Sequence, residues 1–384
     1  MRATVPCAAA LVVLLLVPVV AAAGGPGPLP PLSQWRNISL VNIHEYPAPR
    51  AYAVTAFDAY DGVAVVVGGL LADGQPSNQS WIQDDGGWEN ATVFFVGHAP
   101  FLSHAAMALD VADDLDVMVG GLGPGNAPSN LTYVEQNFNW TNATPTAGFP
   151  PPAGDSGVIA TDPGTGGAVW VPGAGVAGAG HTVWLFLHRH WSTVAAPGGP
   201  SVDLAGAAFF EDPRSDTAVL YTINASGGPP TTWQYRSGNW TLEATGGLPS
   251  MLAPAMTYDA TIGDVLLAGP VGGSTDLYAF ANGTWENLTT IAGPGPSARL
   301  GAVLLFDPSV DQVVFYGGAP ANGPDGAPPL GDTWQWGVLV PPPNPTVTVS
   351  PVPPLDWLLA AVLLAAPPLA VLATRRGPGP PAVP

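Results

Sequence analysis

Lysine is absent from this chain of 384 residues, and cysteine occurs once, at Cys7. The nine basic side chains are all Arg and face 28 acids, giving a net charge of −19. Residues 24–354 alone hold six Arg and 27 acids, a net of −21. A body that acidic repels phosphate backbones and anionic headgroups at long range, which excludes nucleic acid as a partner. Cys7 lies in an N-terminal apolar segment, so its removal leaves no thiol. Disulfides, thiolate metal sites and cysteine nucleophiles are then excluded together. In contrast, Gly (48) and Pro (46) are abundant, alongside 13 Trp, 12 Phe and 9 Tyr. The aromatics separate the chain from disordered Pro/Gly tracts, and the mixture suits many short strands joined by turns.

The two ends read as targeting and anchoring segments. Residues 1–23 have the layout of a secretory signal: Arg2, an apolar stretch from Leu11 to Val20, and the small residues Ala21, Ala22 and Ala23 at the cleavage site. An uncleaved N-terminal anchor is the alternative. Residues 355–373 are almost wholly apolar and match the length of a membrane-spanning helix; Arg375 and Arg376 then place a short tail, 374–384, in the cytoplasm. A removable C-terminal sorting signal would share that layout. Residues 341–354 are dense in Pro and favour an extended stalk of roughly 40 Å, at about 3.1 Å per residue.

Between these ends a unit of near 50 residues repeats, the signature of an array or propeller. An aromatic recurs at Trp81, Tyr133, Trp184, Trp233, Tyr278 and Trp334, and seven residues after each of the first five stands a Trp: Trp88, Trp140, Trp191, Trp240 and Trp285. A fixed step of that kind marks a strand, a tight turn and the start of the next strand. A second landmark is an Asp that ends an apolar stretch: Asp58, Asp110, Asp162, Asp212, Asp259 and Asp307. Asp caps turns through its own side chain, and a β-rich run follows each one. Several runs end in paired glycines, as at Gly68-Gly69, Gly120-Gly121 and Gly317-Gly318.

Each unit thus contains four strands, over about 50–93, 103–145, 155–195, 205–245, 254–290 and 300–340. The sixth lacks its fourth strand, because the Pro-rich stalk has begun where the second Trp should stand. Gln34-Trp35-Arg36-Asn37-Ile38-Ser39 matches the fourth strands elsewhere, so residues 33–40 complete the last unit. The reading is an all-β, six-bladed propeller over 33–340, closed by an N-terminal strand that protects the open sheet edge, plus a C-terminal transmembrane helix.

On these residues the chain resembles the Kelch-repeat family, whose blades carry paired glycines after the second strand and two spaced aromatics. Tyr316-Gly317-Gly318 with Gly331-Asp332-Thr333-Trp334 is the nearest unit, while Val171-Pro172-Gly173 and Tyr221-Thr222 depart from the glycine pair. The resemblance implies binding of a protein or glycan. One branch of that family is similar to the galactose oxidase central domain, but its copper chemistry needs a cysteine that the mature chain lacks, so no cofactor is implied.

Candidate chemistry is sparse. His188 and His190 alternate as a metal pair on a strand would, yet they straddle Arg189 in the seven-residue step, which reads as an exposed turn. His44, His98, His104 and His181 fall in loops with no accompanying carboxylate spacing. Arg50 and Arg299 precede the first strand of their units at equivalent positions, which points to a framework role. No residue stands out as catalytic and no metal site is assigned. Ten Asn-X-Ser/Thr sequons, at Asn37, Asn78, Asn90, Asn130, Asn139, Asn142, Asn224, Asn239, Asn282 and Asn287, are candidate glycosylation sites of a translocated protein. The expectation is a membrane-anchored extracellular module that binds a glycan or protein. The alternative is a surface carbohydrate hydrolase or lyase with its site at the central mouth.

Overall fold

The computed structural model describes residues 33–39, 45–58, 62–154, 157–173, 181–200, 202–224, 228–323 and 326–338. The leader, stalk, apolar run 355–373 and tail lie outside these residues, as does His44. Among the described residues no helix is long and apolar enough to cross a membrane.

Six four-stranded antiparallel sheets follow one another along the chain. Blade 1 contains Val54–Asp58, Val63–Val67, Ser80–Asp84 and Gly87–Asn90, ordered from the inner to the outer strand. Blades 2, 3, 4 and 5 repeat that order, with inner strands Ala106–Asp110, Gly157–Thr161, Val202–Asp212 and Ala255–Asp259. Blade 6 takes Val303–Asp307, Gln312–Tyr316 and Thr333–Val338 from the end of the fold and its outer strand, Ser33–Asn37, from the beginning. The closing strand pairs antiparallel, with Trp35 opposite Trp336 and Asn37 opposite Trp334. The molecule is a six-bladed β-propeller.

The repeated residues explain the blade. Asp110, Asp162, Asp212, Asp259 and Asp307 each accept a hydrogen bond from the amide two residues on, at 2.8–3.1 Å, and so close the turn between the inner and second strands. The step between the two aromatics is a hairpin with two consecutive left-handed residues, as at Asp85-Gly86, Ser237-Gly238 and Asn282-Gly283. His188 and Arg189 take these positions in blade 3, so only His190 is on the strand. The paired glycines join neighbouring blades. Gly318 N–H donates to Arg50 O at 2.8 Å, and a Cβ on Gly317 would stand 2.5 Å from that same oxygen.

One apolar cluster fills each of the six seams between blades. The outer-strand Trp is central to them. Trp191 is 1% exposed and meets Phe186 edge-on at 5.1 Å. Its indole N–H crosses to the preceding blade and donates to Thr132 Oγ1 at 2.9 Å.

Candidate functional site

Two openings lead to the axis. One is ringed by the turns that close on the repeated Asp; the other is ringed by the linkers that enter each inner strand.

The Asp-turn mouth opens into a cavity of about 390 Å³. Its wall includes the residue immediately before each landmark Asp, namely Phe57, Leu109, Thr161, Glu211, Tyr258 and Phe306 in blade order. The ring is therefore divided. Phe306, Phe57 and Leu109 form an apolar arc on blades 6, 1 and 2, and Thr161, Glu211 and Tyr258 form a polar arc on blades 3, 4 and 5. Phe209, Phe210, Met107, Met256 and Leu304 deepen the apolar wall. Among the described residues Glu211 is the only carboxylate of the lining. Burial pushes its carboxyl above the usual range; the Asp216, Asp212 and Asp162 carboxylates add to the shift, and a hydrogen bond with Thr161 works against it. Burial likewise raises the Tyr258 phenol, helped by Asp212 and Asp264.

The linker mouth is shallower, about 190 Å³, and its wall holds small or apolar residues such as Ala53, Ala105, Gly157, Pro254 and Ala302. Above it the chain takes left-handed backbone at one repeated position: Tyr52, His104, Ala253 and Gly301. Those residues are chained around the axis. Gly301 N–H donates to Ala253 O, Tyr52 N–H to Gly301 O, and His104 N–H to Tyr52 O, at 2.6–3.1 Å. Tyr52 and His104 stack at 3.9 Å with an 18° angle between their rings. Non-glycine residues in this region of backbone space carry strain that surrounding structure must hold, and such strain concentrates at functional sites.

The histidines do not converge. His98, His181 and His190 are exposed, and His188 Nδ1 stands 3.3 Å from Asp113 Oδ1 at the turn-side rim. Among the described residues no group of three His, Cys, Asp or Glu side chains is placed to hold a metal. Arg50 and Arg299 are buried and perform matching tasks: each donates to the carbonyl of the first paired glycine, Gly68 at 3.0 Å and Gly317 at 3.1 Å. Each also reaches the residue two before the blade's first aromatic, Gln79 for Arg50 and Asp332 for Arg299. Neither points into the channel, and neither offers a free anion site.

Seven candidate sequon asparagines are exposed: Asn37, Asn130, Asn139, Asn142, Asn239, Asn282 and Asn287. Asn78 and Asn90 are half-buried, and the side chain of Asn224 lies outside the described set. Four of these sequons have a structural use. The side-chain oxygens of Asn37, Asn90, Asn142 and Asn287 accept from the amide two residues on, at Ser39, Thr92, Thr144 and Thr289. That Ser or Thr hydroxyl then receives an amide of the third strand, as Thr92 does from Ser80, Ser39 from Thr333 and Thr289 from Leu277. The motif ends the outer strand, which explains its recurrence.

The channel rings were not singled out from sequence, although one signal was present. Once the Asp column is aligned, the preceding column reads Phe, Leu, Thr, Glu, Tyr, Phe, and that column is the polar and apolar rim.

The fold and its axial openings define the class, a six-bladed propeller with a cavity on its axis. No family model matches the chain, and no curated protein matches it. Among solved structures it is similar to YjhT, at 15% identity over 75% of this chain and 95% of that one, with a TM-score of 0.52. It is also similar to a GH74 xyloglucanase from Xanthomonas campestris (16% identity, 76% of this chain, 44% of that one, TM-score 0.44). The extracellular domain of a one-component system from B. thetaiotaomicron matches at 13% identity over 79% of this chain and 40% of that one, TM-score 0.41. At these identities the likeness concerns the fold alone.

Proposed function

We infer that this protein is a non-catalytic binding module of the Kelch type, displayed outside the cell and tethered by residues 355–373, with a glycan or polypeptide as its partner. The observation that carries this reading is the make-up of the axial cavity. Carbohydrate hydrolysis by paired acids needs two carboxyl groups about 5–9.5 Å apart, and among the described residues Glu211 stands in the lining without a second one. That make-up counts against catalysis by paired acids, and the partner's seat is the other mouth.

The linker mouth supports the choice of partner. Stacked Tyr52 and His104 present amphipathic ring surface at an opening whose backbone geometry is held by hydrogen bonds between blades. Aromatic rings with a polar edge serve interfaces where one side is apolar and the other wet. The acidic body and the leader at 1–23 support a place outside the cell, and the exposed sequons are the positions proposed for glycans.

The test uses the full chain on arrays of glycans and extracellular proteins, in parallel with a panel of glycoside substrates. Saturable binding that Tyr52→Ala weakens at least about tenfold, with an unchanged melting midpoint, is the expected result. Turnover of any glycoside, abolished by Glu211→Gln, would overturn the reading in favour of a hydrolase.

A further inference from the structure

The geometry points to a second binding site, at the Asp-turn mouth, for a small organic ammonium ion with an apolar body. This site lies at the end of the channel opposite the linker mouth and does not rest on the reading above.

Three observations converge there. The first is the split rim: Phe57, Phe306 and Tyr258 bring aromatic side chains to the same opening as Glu211. Aromatic rings attract cations through their negative faces, and they favour alkylated ammonium groups, whose charge is spread over carbon and is cheaply desolvated. The second is the partial burial of Glu211 in a wall that is mostly apolar apart from Thr161 and Tyr258 beside it. A carboxylate kept from water and given no cationic side chain in the lining is stabilised by a ligand that brings the opposite charge. Among the described residues no Arg lines the cavity, and the chain has no Lys. The third is the charge of the body. The protein carries a net charge of −19, and the exposed Asp216 stands on the turn that follows Glu211. A surface that acidic attracts cations and repels anions at long range.

The chemistry fixes the ligand class further. A metal ion is disfavoured, because a lone carboxylate among aromatic rings lacks the oxygen ligands that Mg²⁺ or Ca²⁺ demands. A sugar is disfavoured, because its hydroxyls would meet Phe57, Leu109 and Phe306 without partners. An ammonium ion on a short apolar frame satisfies both arcs at once. Its head lies toward Glu211 and Tyr258, and its body lies against the phenylalanines. The cavity of about 390 Å³ has room for several such frames.

The experiment compares choline with 3,3-dimethyl-1-butanol, which has the same shape without the charge, by ligand-observed NMR titration of the full chain. Choline is expected to bind at least about tenfold more tightly than the alcohol. Glu211→Gln, which keeps the side-chain volume, should remove that preference and leave alcohol binding unchanged. Phe306→Leu, which keeps the carboxylate, should weaken choline severalfold. Asp216→Asn changes an exposed carboxylate on the same turn and should have no effect. Equal binding of the two probes, no saturable choline binding, an unaffected Glu211→Gln variant, or an equal loss in Asp216→Asn would each overturn the proposal. The last outcome would assign the attraction to the diffuse acidic field.

Discussion

Four seams of the ring are closed by an indole hydrogen bond, and two are closed another way. Trp88, Trp140, Trp191 and Trp285 each donate to a hydroxyl on the preceding blade, at Thr333, Ser80, Thr132 and Thr232, over 2.8–3.1 Å. The hydroxyl residue always stands just before that blade's first aromatic. In blades 3 and 5 the same column holds Val183 and Leu277, which have no hydroxyl to offer. Their seams pack these side chains into the apolar clusters that hold Trp240 and Trp35. Both indoles also lie on glycine, where a Cβ at Gly199 or Gly295 would come within 2.6 or 2.7 Å of the ring. A seam can thus be fixed by a polar latch or by close packing on glycine. The latched version places an indole N–H where losing its acceptor is expensive.

The largest separation between the two kinds of seam is expected at the Trp itself. Trp191→Ala empties a site that is 1% exposed and orphans Thr132, and it should cost about 3–5 kcal/mol. Trp240 is half-buried and has no latch to lose, so Trp240→Ala should cost less by roughly 1–2 kcal/mol on the same reasoning. Denaturant midpoints of the two variants check this. Equal losses would show that apolar packing alone holds the seams.

A finer test swaps the latch. Thr132→Val keeps shape but leaves Trp191 Nε1 buried without an acceptor, at an expected cost of about 1–3 kcal/mol. Val183→Thr supplies a hydroxyl where Trp240 can meet it, and should change stability by less than about 1 kcal/mol in either direction. If Val183→Thr stabilised as much as Thr132→Val destabilised, the two seams would be one design with a missing part.

How much of this was legible in the sequence depends on which column was compared. The aromatic, Asp and glycine columns set the strands and their order, because each residue type has a backbone or packing role visible without coordinates. The strand containing Trp35 was legible as the missing outer strand of blade 6 because its neighbours repeat a known blade edge. The hydroxyl column of Ser80, Thr132, Thr232 and Thr333 was equally present, but a hydroxyl before an aromatic has no meaning until the next blade is placed against it. Glu211 was hidden for the same reason: only the ring geometry says that the residue before each Asp faces the axis. Tyr52 and His104 were less accessible still. Left-handed backbone at a non-glycine residue leaves no mark in composition, and only Gly301 at the matching position in blade 6 hinted at it.

The smallest expected effect separates two seams at their Asp turns. In the seam between blades 6 and 1, Asp307 Oδ2 accepts from Gly86 N–H at 3.1 Å and from Gln83 Nε2 at 3.4 Å. In the seam between blades 2 and 3, Asp110 spends Oδ1 on its own turn, while its buried Oδ2 has no hydrogen-bond partner. Burial, with the Asp113 carboxylate, raises the Asp110 carboxyl to about 6. An unfolded Asp titrates near about 3.9, so between about pH 4 and 6 the folded state holds the extra proton. The stabilisation from that proton is complete below the unfolded value and is lost as pH rises through the folded one. Asp110→Asn should therefore flatten the fall in urea midpoint between pH 4 and 7 and cost little at pH 7. Asp307→Asn places an amide donor against Gly86 N–H or turns it away, and should cost about 1 kcal/mol at pH 7. Urea titrations of both variants across that range decide the matter. A steeper fall in Asp110→Asn than in the unmodified chain would reverse the assignment and make Asp110 a group held in its charged form.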